Sequence, residues 1–160
     1  MSAASGLKTF TFKYRNDWDG KVTFTDIPLT FEYITPKHEF DLQQKGLVEK
    51  LQRYDHSAHL QFVFSLLIKT DKQKVSKLVF KDYDEEKDEM VEVKMKGYEK
   101  LGLLLPDQLW TALEIAYVLR GKSEADAKKL IHKLRDEASE VMDEALKKNL
   151  DQAKKTIATL

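Results

Sequence analysis

The chain has 160 residues with 27 basic and 27 acidic side chains, no cysteine, 42% hydrophobic and 34% charged residues. That balance argues against a dedicated nucleic-acid protein, whose phosphate contacts usually show as a basic excess. The absence of cysteine removes disulfides, thiolate nucleophiles, Cys-ligated zinc and iron–sulfur clusters.

Residues 1–6 lack the basic and apolar regions of a signal peptide. The longest apolar runs, such as residues 62–68, fall far short of the ~18 needed to span a bilayer. The expectation is a soluble, cytoplasmic protein with a disordered N-terminus over 1–6, an α+β domain over 7–121 and a C-terminal helical extension over 122–160.

Residues 7–14 alternate, with Phe10, Phe12 and Tyr14 on one face and Thr9, Thr11 and Lys13 on the other, which is strand period. Residues 16–20 carry turn chemistry, 21–25 return as a second strand, and Pro28 separates it from a third over 29–34. Leu47, Leu51 and Tyr54 sit at helical spacing, so a short helix is expected over 46–54, while Phe40 and Leu42 fit either type. Residues 60–68 are apolar on both faces and read as the central strand of a sheet. Residues 75–81 and 90–96 complete a meander around an acidic loop over 82–89. A register setting Phe80 opposite Val91 and Leu78 opposite Val93 buries all four.

Pro106 suits the first turn of a helix over 107–120, whose apolar residues cover most of its surface and predict burial. Gly121 is placed to end it, and Ser123 to cap the next helix. That last helix runs to Leu160 with Glu124 and Asp126 at its start and Lys154 and Lys155 near its end, matching the helix dipole. Its apolar seam keeps one heptad phase through Ala145 and starts another at Leu146. An unbroken helix of that span would run about 55 Å, against a diameter near ~40 Å for a compact chain of this size. It therefore either breaks near residues 147–149 or overhangs and binds something.

The fold class expected is α+β: a six- to seven-stranded antiparallel sheet or roll, then a buried helix and a long amphipathic C-terminal helix. A strongly bent sheet capped by a helix with an early Trp (Trp110) resembles pleckstrin-homology-like architecture, a likeness of fold that implies no function.

Candidate sites are few. His56 and His59, with Asp55 before them and His38–Glu39 elsewhere, are weak candidates for metal or acid–base work, since zinc needs three or four converging ligands; the plainer reading is a solvated turn. The acidic loop invites a calcium reading, but the EF-hand template requires Gly and Glu where Lys87 and Val93 stand. Lys69, Lys72, Lys74 and Lys77, with Lys81, Lys94, Lys96 and Lys100, could form a basic sheet face beside Phe64, Phe80 and Tyr83 for RNA or single strands. Edge lysines that discourage aggregation are the plainer reading, and a basic patch for an acidic partner or an anionic lipid headgroup is a third. Trp18 is a recognition anchor or folds back over the sheet.

No phosphate-cradling glycine loop or nucleophile elbow appears, so neither a catalytic residue nor a cofactor is assigned. The function expected is a small non-enzymatic binding or regulatory protein, self-associating or capturing a protein partner through Trp18, Ile131, Leu134, Met142, Leu150 and Ile157. One alternative is a nucleic-acid-associated regulator using residues 69–81. A second is a small-ligand pocket or enzyme site near His56 and His59.

Overall fold

The first hairpin forms where the alternation placed it. In the computed structural model, which describes residues 6–15, 20, 22–52 and 55–158, β1 (Leu7–Arg15) pairs antiparallel with β2 (Phe24–Glu32). Trp18, the side chain of Met142 and residues 1–5, the bulk of the expected disordered N-terminus, lie outside the described residues. Phe10 faces Leu29 and Phe12 faces Ile27. Phe31 is fully buried and takes the rings of Phe10 and Phe12 edge-on, at centroid distances of 5.7 and 6.5 Å.

Pro28 does not divide two strands; it lies inside β2, opposite Thr11. The outward N–H groups of β2 belong to every second residue. Glu32 donates to Leu66 O at 2.7 Å and Thr30 to Asp71 Oδ2 at 2.7 Å. Pro28 has the same parity, so its missing N–H falls on the side away from β1 and costs no rung of the ladder.

Four helices follow: α1 (Pro36–Gln44), α2 (Val48–Gln52), α3 (His56–Ser65) and α4 (Lys69–Ser76). Thr35 caps α1, with His38 in the reciprocal position of the capping box. The expected central strand over 60–68 is α3 and its exit instead. Asp55 caps it by accepting from Ala58 N at 2.8 Å, and Leu60, Phe62 and Val63 are buried. A run apolar on both faces fits a buried helix as well as a buried strand, and here the cap decides. The exit of α3 still touches β2: Leu67 bridges Phe31, Leu66 O accepts from Glu32 N, and Ile68 N donates to Thr30 O at 3.0 Å.

The strand expected over 75–81 is likewise displaced, because Val75 lies in α4. β3 (Lys81–Asp84) and β4 (Glu89–Glu92) make a second hairpin. Val91 faces Asp82, and Val93 N donates to Phe80 O at 2.8 Å. The register is thus shifted by two residues from the one expected, and the expected buried face does not form: Phe80 is buried, but Val91 and Val93 are half-buried and Leu78 precedes β3.

Among the described residues there are two two-stranded sheets, not one sheet of six or seven strands, so the likeness to pleckstrin-homology-like architecture does not hold. The chain remains α+β, with helices carrying most of the core.

α5 (Gly97–Leu104) and α6 (Gln108–Leu119) complete that core. α5 was not expected, because its two glycines weaken the helical signal. Both permit a close approach: a Cβ on Gly97 would meet Phe64 Cζ at 2.6 Å, and one on Gly102 would meet Leu60 Cδ1 at 2.9 Å. Lys100, buried, donates to Ser76 O at 2.7 Å and so satisfies the end of α4. α6 ends as anticipated. Gly121 has φ 104°, Gly121 N donates to Val118 O at 3.0 Å, and Lys122 N donates to Tyr117 O at 3.1 Å, the two bonds of a Schellman motif.

The chain divides into two units, residues 1–122 and 123–160. The second is one helix, α7 (Glu124–Ala158), capped by Ser123, whose Oγ accepts from Asp126 N at 3.1 Å. Its 35 residues run without a break through residues 147–149, about 50 Å at the usual rise. No Gly or Pro interrupts it, and Asp143–Lys147, Glu144–Lys148 and Asp151–Lys155 stand at i,i+4 spacing across the point where a break was expected. None of the described helices is long and apolar enough to cross a membrane.

Candidate functional site

The histidines part company on α3. His56, at the first position, is exposed, whereas His59 one turn on is 6% exposed. His59 Nε2 lies 3.1 Å from Leu51 O and donates to it. Burial holds the imidazole below its ordinary pKa of 6.5, against the raising effect of that carbonyl, and the nearby Arg120 charge lowers it further. His59 is therefore a neutral core histidine at neutral pH. Among the described residues no three His, Asp or Glu side chains gather where a metal ion could be held.

His59 nevertheless lines a cavity of about 400 Å³ between α1, α2, α3 and α6. Leu42, Leu51 and Leu113 supply apolar wall, and Glu39, Tyr117 and Arg120 supply polar groups. Arg120 caps α6, and its guanidinium stands over the Phe62 ring at 5.6 Å. Its Nε lies 3.7 Å from Glu39 Oε1. Spacing along the chain could not bring Glu39 and Arg120 together, because they belong to α1 and the end of α6. His38 points elsewhere: its Nδ1 accepts from Thr35 N at 2.9 Å, and its Nε2 reaches Glu32 Oε2 at 3.3 Å.

A second, more polar cleft of about 720 Å³ is lined by Lys37, Lys45, Lys72 and Tyr98 over Phe62 and Phe64. Of the four lysines singled out as a basic face, only Lys72 reaches it. Lys69, Lys72 and Lys74 are on α4 and Lys77 is its C-cap. Helical geometry sets Lys69 and Lys72 on one side and Lys74 and Lys77 on another, with Lys74 Nζ 3.8 Å from Asp71. The basic sheet face is thus corrected: no strand carries these lysines beside Lys94 and Lys96. Phe80 is buried, Phe64 half-buried and Tyr83 exposed.

The acidic loop uses its carboxylates on itself. Asp84 Oδ1 accepts from Glu86 N at 2.9 Å and Lys87 N at 3.3 Å, and Asp88 accepts from the Tyr83 hydroxyl, holding that phenol above its ordinary range. These bonds tie the turn together through its own residues.

Along α7, Ile131 is buried and Leu134 half-buried. Beyond them the apolar residues are open: Val141 is 66% exposed, Leu146 and Leu150 56% each, and Ile157 69%. Leu146, Leu150, Ala153 and Ile157 share one face by their spacing of four, three and four. Comparison of the chain with protein-family models, with curated proteins and with solved structures found no match.

Proposed function

We propose that this chain is a non-enzymatic binding protein that holds a helical segment of another protein against the distal half of α7. The observation that carries the reading is the exposure of Leu146, Leu150 and Ile157, each more than half accessible on one helical face. Scattered surface leucines need no explanation, but three aligned along one stripe are the pattern of helix recognition.

The length of the stripe favours a different protein over a second copy. This chain's three side chains contribute on the order of 5–9 kcal/mol when buried, against an association cost of roughly 4–15 kcal/mol. The stripe covers about two heptads, where a self-sufficient coiled coil needs three or four. A partner that offers a groove, or further apolar residues beside the stripe, makes up the difference. Nucleic-acid binding through residues 69–81 has less support, since α4 sends those lysines in different directions.

The test is a photoreactive amino acid at position 150 of the full chain, activated inside the source cells. The expected result is a discrete adduct with another protein, lost when Leu146→Asp and Ile157→Asp are added, while thermal unfolding stays unchanged. An adduct only with a second copy would make the chain a homo-oligomer instead. No adduct at all would contradict the reading.

A further inference from the structure

The His59–Arg120 cavity lies within the first unit and is independent of α7. Its size, about 400 Å³, falls in the range of small-ligand sites, roughly 300–1,000 Å³. Such sites combine apolar walls with a few convergent polar groups, and both are present. Leu42, Leu51 and Leu113 offer wall. Arg120 and Glu39 reach solvent, with side chains 40% and 50% exposed, whereas His59 is shut away. The charged pair therefore stands towards the mouth, and the inner surface carries no net charge.

Arg120 is held from two sides, by the Phe62 ring beneath it and by Glu39 beside it. Yet 3.7 Å is too long for a hydrogen bond. Among the described residues the guanidinium makes no side-chain hydrogen bond, and it presents a fork of donors whose geometry matches a carboxylate. One cation, already partly offset by Glu39, suits a single negative charge better than a phosphate dianion.

We infer that this cavity binds an apolar monocarboxylate, its carboxylate on Arg120 and its hydrocarbon body against Leu42, Leu51 and Leu113. Binding has a consequence at His59. Burial is the first cause that holds this imidazole low, and the Arg120, Asp55 and His56 charges act on it as well; a ligand that covers the cavity and offsets Arg120 changes two of these, so the His59 titration moves when the site fills.

The test uses hexanoate as probe and hexanamide as its uncharged match, followed by NMR of the full chain. Expected are saturable binding in the millimolar range, shifts confined to the methyl groups of Leu42, Leu51 and Leu113, and a His59 titration displaced from that of the free chain. Arg120→Gln should weaken hexanoate by about tenfold or more and leave the weak affinity for hexanamide unchanged. Leu113→Trp, which fills the cavity, should abolish both in a variant whose NMR spectrum shows the native fold. Equal affinity for acid and amide, binding that leaves the His59 titration in place, or no saturation would each overturn the assignment.

Discussion

α6 and α7, consecutive along the chain, are built on opposite principles. α6 has twelve residues and hides Ala112, Leu113, Ile115, Ala116, Val118 and Leu119. α7 has 35 residues, and past Leu134 no large apolar side chain described on it is buried. α6 is helical because a core surrounds it; the distal half of α7 holds its shape by propensity, dipole complementarity and ion-pair spacing, each worth tenths of a kcal/mol. The apolar stripe left open there is the surface on which the proposed partner site rests.

The comparison breaks first at the core. Phe31→Ala, which empties a fully buried ring site, should cost about 3–5 kcal/mol in urea unfolding. Leu150→Asp, an apparently more drastic change, should shift stability by no more than ~0.5 kcal/mol. If the two costs came out similar, distal α7 would be core and the contrast would fail.

A smaller effect is expected where α3 and α5 meet. Gly97→Ala sets a methyl 2.6 Å from Phe64 Cζ and 2.9 Å from Ser76 Oγ, and overpacking of this kind costs about 1–3 kcal/mol. Asp71→Ala should cost a similar ~1–3 kcal/mol, because it leaves the Thr30 N–H without its acceptor.

The least effect comes from pH. His59 is held below its unfolded value of 6.5, so the unfolded chain takes up this proton first. Its contribution is fully present above about pH 6.5, declines as pH falls from there towards the lower folded value, and is constant below it. Urea midpoints at pH 7.5 and 5.5 should differ in the wild type, and less in His59→Gln.

How far the sequence carried depended on whether a signal was local. The β1 alternation, the Schellman turn at Gly121, the Ser123 cap and the reach of α7 were legible because each rests on residues within a few positions of one another. The 60–68 run was not, since apolarity on both faces is equally a buried helix, and its arbiter, Asp55, lies outside the run. α5 stayed hidden because Gly97 and Gly102 answer to Phe64 and Leu60, far away in sequence. The register of β3 on β4 was not legible, because alternation fixes which face a side chain takes but not which rungs meet. The candidate cavity was half legible: His59 stood out, but its companions Glu39 and Arg120 meet only in the folded chain. Lys69 and its neighbours misled, because a helix scatters what a strand would have aligned.

The most direct test is hydrogen exchange over residues 141–157 of the full chain, with absolute mass measured by light scattering on the same sample. The account predicts a monomer whose amides there exchange far faster than those of α3 and α6, and become protected only when the partner is added. Slow exchange in an isolated monomer would mean that this stretch is packed within its own fold, and would contradict it.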